Sequence, residues 1–362
     1  MTGLRALAGS VIVLVILWDA FESIVLPRRV THRFRLTRLF YAVAWNAVAA
    51  VARRVPAGKP RQALLSAFGP LSLLMLVAFW AVGLVFGFSL LHAAVGTAGG
   101  FPMDLYMSGS TFFTLGLGDV TPKATAGRIV TVLEAGVGFG FLALTIGYLP
   151  VIYGAFSRRE TNISLLDARA GSPPSARELL SRYGRPEHVG SLARFLRDWE
   201  VWTADLMESH LSYPVLCYYR SQHDNQSWLA ALTAILDTCA LLIAHAEGEI
   251  AWQARLTYAI ARHAVVDLSQ VLHIAPRHGS GERLSPSALA EIRAELRSAG
   301  VPLCAPKAAD ETLQDVRRMY EPYVAALADR LMMTIPGWSH PNRPANWQTS
   351  AWEKETAAER RP

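Results

Sequence analysis

Three apolar runs, each long enough to cross a lipid bilayer as a helix, decide most of what this chain can become. They cover roughly residues 7–27, 64–94 and 127–156, and a hydrocarbon core ~30 Å thick takes about 20 residues of helix to cross. The second run, at 1.5 Å per residue, is ~46 Å long and is expected to project beyond the bilayer on one side. The first shows no signal-peptide cleavage pattern and is expected to stay attached. Only 18% of the residues are charged, against about 25% in an ordinary soluble domain, so part of the chain sits in a medium other than water.

The net charge of +6 is a local feature. Residues 1–156 hold 12 Lys/Arg against 5 Asp/Glu, whereas residues 157–362 hold 23 against 24. Nine of those twelve cations fall between Arg28 and Arg61, beside apolar runs, where loops on the cytoplasmic side of a membrane carry their positive charge. That placement removes the main support for a nucleic-acid partner. It also sets an orientation: residues 28–63 form a basic cytoplasmic or interfacial segment, the 1–27 helix starts outside, the second span runs outward, and the third returns to end at Arg158 and Arg159. Everything after residue 157 is then cytoplasmic, in a multi-pass protein of the cell membrane. Within the basic segment Leu36–Val55 is amphipathic. It reads as a helix lying on the cytoplasmic face, with a fourth span as the alternative.

The second half reads as helices at about 175–183, 189–211, 226–245, 247–274, 286–299 and 309–333, from apolar residues recurring at three and four positions and from start signals such as Ser285-Pro286. Trp228–Ala244 is apolar enough to span but short, so a buried core helix is the preferred reading. Residues 334–362, rich in Pro, Trp and mixed charge, read as an irregular tail. Cys217, Cys239 and Cys304 form no CxxC pair, which leaves a disulfide framework and a zinc site without support.

Between the second and third runs the chain reads Phe101-Pro-Met-Asp-Leu-Tyr-Met-Ser-Gly-Ser-Thr-Phe-Phe-Thr-Leu-Gly-Leu-Gly-Asp-Val-Thr-Pro122. About ten residues from Asp104, a candidate N-cap, make a helix too short to cross the membrane. Thr114-Leu115-Gly116-Leu117-Gly118-Asp119 follows at once. Glycines at alternate positions let the backbone adopt dihedrals closed to other residues, so that successive carbonyls can point to one side of an extended strand. Unsatisfied carbonyls at membrane depth are tolerable only where they line a conduit. A dehydrated K+ ion supplies the missing partner, and closing a ring around it requires symmetry-related copies.

Two apolar helices enclosing a short pore helix and a T-x-G-x-G-D strand resemble the potassium channel superfamily. Thr111 precedes Thr114 at the interval common in its pore loops, and Gly-Leu-Gly is most similar to those of the two-pore-domain members, although this chain carries one loop. The resemblance covers residues 64–157 and implies a homotetramer in the lipid bilayer. It further implies that carbonyls of Thr114, Leu115, Gly116, Leu117 and Gly118, with the Thr114 hydroxyl, bind the permeant K+, and that Asp119 and Thr111 support the filter through hydrogen bonds. Leu117 stands where Tyr or Phe is usual, and the pore helix has no tryptophan pair.

The expected fold is thus an all-α membrane protein: a two-helix pore module over 64–157 with a re-entrant pore helix and filter, an extra N-terminal transmembrane helix, and a helical cytoplasmic domain over 158–333.

Other residues carry two readings each. Gly136, Gly138 and Gly140 permit close helix packing or a bend in the third span, with Gly147 and Pro150 as later bend candidates. Asp19 and Glu22 share a helix face, either paired with a neighbouring helix or the basic segment, or drawing cations to the inner mouth. Glu134, near filter height, either tunes the filter from behind or packs. His263 and Asp267, four apart, have a metal-compatible spacing without a recognised ligand set. His210, His223, His245 and His273, with acids such as Glu208, Asp224, Glu247 and Glu249, read as satisfied side chains. No arginine ladder repeats every third residue in an apolar helix, and no G-x-G-x-x-G nucleotide site follows residue 157. The functional expectation is a K+-selective channel needing no enzyme chemistry and no cofactor, whose helical domain biases the gate in response to an unidentified cytoplasmic regulator. A weakly selective cation channel and a membrane-tethered helical sensor or enzyme are the alternatives.

Overall fold

The computed structural model describes residues 2–26, 35–96, 99–183, 186–223, 225–277, 283–301, 303 and 308–338. Among these residues no β-sheet strand is formed; every regular element is helical. By contacts the chain divides into two units, 1–154 and 155–362, with the boundary falling inside one continuous helix. Asp224 and Cys304, and the tail beyond Trp338, lie outside the described residues.

The first unit holds α1 (Thr2–Ile24), α2 (Leu36–Arg54), α3 (Lys59–Val95), α4 (Phe101–Phe112) and most of α5 (Thr125–Ala170). Helices α1, α3 and α5 are each long and apolar enough to cross a membrane. Helix α3 begins at Lys59 rather than 64, because Pro60 suits the first turn, where its missing N–H would be unpaired anyway. It ends at Gly96, whose φ of 69° is the left-handed cap conformation that a side chain would strain. Helices α1 and α3 approach until a Cβ on Gly9 would lie 2.7 Å from the Gly87 carbonyl oxygen. Small residues permit that backbone contact in a medium where the hydrophobic effect does not drive association. Val13, Ile16, Leu76, Trp80, Leu84, Phe88 and Phe112 fill the space around it.

Helix α2 is not among the elements apolar enough to span. It buries Trp45, Ala49 and Ala52, and the Trp45 ring meets Phe68 of α3 edge-on at 5.0 Å. The junction of α1, α2 and α3 is polar and closed: the Asp19 carboxylate accepts from the Thr37 hydroxyl at 2.6 Å, the Thr37 amide and the Trp80 indole at 2.9 Å. Glu22 accepts from the Trp18 indole at 2.9 Å and lies 3.6 Å from Arg35. These partners are structural, which favours pairing over a role at the inner mouth.

The third apolar run was expected to end at Arg158 and Arg159, yet α5 continues to Ala170. Arg159 is buried: its guanidinium donates to Glu160, to the Leu216 and Tyr219 carbonyls and to His210 Nε2 at 3.1 Å, over the face of Phe156. Those partners carry the helix past the point where exposed charge would have ended an apolar segment. Burial and the neighbouring cation push the His210 imidazole well below its ordinary 6.5, so it is neutral there.

The second unit continues with α6 (Ala176–Tyr183), α7 (Val189–Ser212), a 3-10 turn at Pro214–Tyr218, α8 (Trp228–His245), α9 (Gly248–Val271), α10 (Pro286–Ser298), α11 (Ala309–Arg318) and α12 (Glu321–Leu331). Helix α8, though apolar enough to span, is almost wholly enclosed by this unit and forms its centre. The Ser227 and Ser285 hydroxyls cap α8 and α10 by accepting from Ala230 and Ala288 amides.

One expectation is corrected. The single helix expected over 309–333 is two, interrupted at Met319 and Tyr320, because Pro322 cannot continue a helix but fits the first turn of the next. Residues 334–338 carry no regular element, yet they are packed. The Trp338 side chain is 2% exposed, set between the Arg283 and Arg317 guanidiniums at 5.8 and 5.5 Å. Arg283 also donates to the Pro336 carbonyl and grips Asp237 with two hydrogen bonds, and Tyr320 donates to the same carboxylate at 2.5 Å. Burial opposes the Arg283 charge, but Asp237 more than offsets this and holds the guanidinium above its ordinary range.

Candidate functional site

The distinctive backbone of the first unit follows α4. This short helix starts at Phe101, with Pro102 in its first turn and Gly100 as N-cap, so Asp104 is one turn inside the helix rather than its cap. After Phe112 the helix opens, with Thr114 N–H donating to Thr111 O, and Leu115 and Gly116 N–H both donating to Ser110 O at 2.8 and 3.3 Å.

From Thr114 the dihedrals alternate. Thr114, Gly116 and Gly118 have φ of 58°, 57° and 79°, whereas Leu115 and Leu117 are not among the residues with positive φ. Gly116 and Gly118 adopt this region without penalty. Thr114 is β-branched, and holding it there costs of order 1–3 kcal/mol, which persists only where the surroundings impose it. Among the described residues no hydrogen bond reaches the carbonyls of Thr114 through Gly118. Buried backbone oxygens nearly always have a partner. Here the strand is exposed on the single chain, and its acceptors face whatever lies beyond it.

Side chains brace this strand from several directions. The Tyr106 hydroxyl, on α4, donates to Asp119 at 2.9 Å, tying the two ends of the loop. The Phe112 ring lies tilted against Phe141 of α5, with centroids 5.7 Å apart. A Cβ on Gly138 would overlap the Phe112 carbonyl oxygen, so at this position the small residue serves close packing of α5 on the pore-helix end; nothing lies within 4 Å of a Cβ placed on Gly136, Gly140 or Gly147. Pro150 lies within α5, which stays helical on both sides of it. Glu134 is fully buried between three elements, 2.8 Å from His92 Nε2 of α3 and hydrogen-bonded to the Ser108 hydroxyl of α4.

Sequence reasoning singled out Glu134, Asp119 and Thr111 but missed Tyr106, Ser108 and His92. The available signal was a lone histidine at the end of an apolar run, which is costly at membrane depth without a partner. The other candidates do not converge. His263 Nε2 lies 3.2 Å from Asp267, and among the described residues no group of three metal-ligating side chains is assembled.

A family model described as "Ion channel" matches residues 74–152, the stretch from mid-α3 to Ile152 that contains the whole loop. A curated relative, an uncharacterized membrane protein (YdjJ) of Bacillus subtilis strain 168, is 23% identical over 224 residues, covering 59% of this chain and 64% of that protein. No solved structure matches significantly. Residues 74–152 are therefore an ion-channel pore module of the potassium channel superfamily type, carried by an all-α membrane protein.

Proposed function

We propose that the protein is a homotetrameric, K+-selective channel in which four copies of Thr114–Gly118 surround one axis. The observation that carries this reading is the alternation of left-handed residues along a strand whose five carbonyls receive no hydrogen bond among the described residues. Four such strands facing inward would replace the hydration shell of a dehydrated cation. The Thr114 hydroxyl adds a ring of acceptors at the inner end. Conduction makes and breaks no covalent bond, so no enzyme chemistry and no bound cofactor is required; K+ is the cargo. The pore helix α4 directs its negative C-terminal end toward the ion path, which favours cations.

Strict selectivity over Na+ is favoured by the Tyr106–Asp119 bond, which supplies a hydroxyl anchor that Leu117 cannot. The positive charge of the segment around α2 supports a second unit on the cytoplasmic side of the cell membrane, where it would bias the gate through α5. The test is K+ efflux from proteoliposomes containing purified protein. Efflux that is blocked by Ba2+, reversal potentials that follow K+ rather than Na+, and loss of flux in Gly116→Ala are expected, because a Cβ at φ 57° strains the strand. Unchanged flux in that variant would defeat the assignment.

A further inference from the structure

We infer that His92, Glu134 and Ser108 form one positioning network that fixes the pore helix between the two flanking spans and thereby sets how well the strand discriminates between cations. The inference rests on the pore reading above and deepens it. Each residue comes from a different element: His92 from the last turn of α3, Ser108 from the middle of α4, Glu134 from the first third of α5. All three side chains are fully buried, and the carboxylate joins the other two, with Oε2 2.8 Å from His92 Nε2 and Oε1 bonded to the Ser108 hydroxyl.

The Ser108 hydroxyl oxygen is also 2.7 Å from the Val85 carbonyl oxygen of α3. A serine hydroxyl has one proton, so both contacts are hydrogen bonds when Ser108 donates to Val85 and the Glu134 carboxyl donates to Ser108 Oγ. The pore helix is then held at one side chain to both spans, and a displacement of α4 toward either would lengthen the bond to the other. Two residues farther along the same helix, the Ser110 carbonyl receives the first two filter amides, Leu115 and Gly116. The rigid helix therefore conveys the position of Ser108 to the start of the strand. Cation discrimination by a ring of carbonyls depends on how firmly the oxygens are held and how many are presented. Neither His92 nor Ser108 touches the ion path; they act through the pore helix.

The test measures permeability ratios, which do not depend on how much protein assembles. Under bi-ionic K+ and Na+ conditions, Ser108→Ala and His92→Phe should each lower the K+ over Na+ ratio by about fivefold, the factor for one ordinary hydrogen bond lost. Ser108→Thr, which keeps the hydroxyl, should restore it. Ser89→Ala is the control: it removes a buried hydroxyl on α3 that, among the described residues, bonds only the Phe86 carbonyl of its own helix, and it should leave the ratio unchanged. A wild-type ratio in both Ser108→Ala and His92→Phe would overturn the inference while leaving the pore reading intact. An equal fall in Ser89→Ala would also overturn it, by making the effect one of general packing. If Ser108→Ala fails to assemble, His92→Phe decides the matter from the other end of the network. Absence of alkali-cation current in the wild type would overturn the pore reading itself and this inference with it.

Discussion

Arg159 shows how a single residue can be bound more tightly by its surroundings than its charge would suggest. Its guanidinium is 1% exposed, with two main-chain carbonyls, one carboxylate and one neutral imidazole as partners. Breaking a buried pair by removing one member typically costs about 3–5 kcal/mol, so Arg159→Met should lower the thermal midpoint of the detergent-solubilised protein sharply, read by intrinsic fluorescence. The imidazole adds a pH dependence of known sign. His210 is held below its ordinary 6.5 by burial first and by Arg159 second. The unfolded chain takes up a proton near that ordinary value and the native chain does not. The stabilisation is therefore complete above about pH 6.5 and is lost as pH falls below it toward the depressed native value. Unfolding midpoints should drop between about pH 7.5 and pH 5.5, and His210→Gln should shrink that drop. Burial likewise pushes the Cys217 thiol up to about 12, which keeps it from the thiolate form that reacts.

At the scale of elements, the contrast between what the sequence specified and what it concealed is physical. The three spans were legible because their lengths follow from bilayer thickness, and the pore loop because glycines at alternate positions have few other uses. A capping serine, Ser285, announced α10 in the same local way, whereas the helix expected from 226 put Ser227, the cap of α8, inside it. The break between α11 and α12 was hidden because apolar spacing continues through it; the decisive residue, Pro322, lies in the first turn of the new helix. Trp338 was concealed for the opposite reason, since its partners Arg283 and Arg317 are distant in sequence and nothing local marks a buried indole. Trp338→Ala should therefore cost about 3–5 kcal/mol, as large aromatic truncations in cores do, with the loss visible as earlier chemical unfolding of the second unit. Were residues 334–338 unpacked as well as irregular, the same substitution would be silent. Gly138→Ala belongs at this scale too: the new methyl meets the Phe112 carbonyl, and it should reduce the yield of assembled protein on a sizing column.

For the whole molecule, the proposed fourfold assembly predicts a native mass of four times the 39.6 kDa chain, which native mass spectrometry in detergent would report. Its central device is made of main chain rather than side chains. Where dihedral angles do the recognising, the three left-handed positions and the two between them answer to different rules. Gly116 and Gly118 are confined to residues that accept a positive φ and Thr114 holds one against its β-branched preference, whereas Leu115 and Leu117 need only fit the room beside them. Systematic replacement along the strand should accordingly yield a two-residue rhythm of tolerated and lethal changes, the mark of a recognition surface encoded in backbone shape.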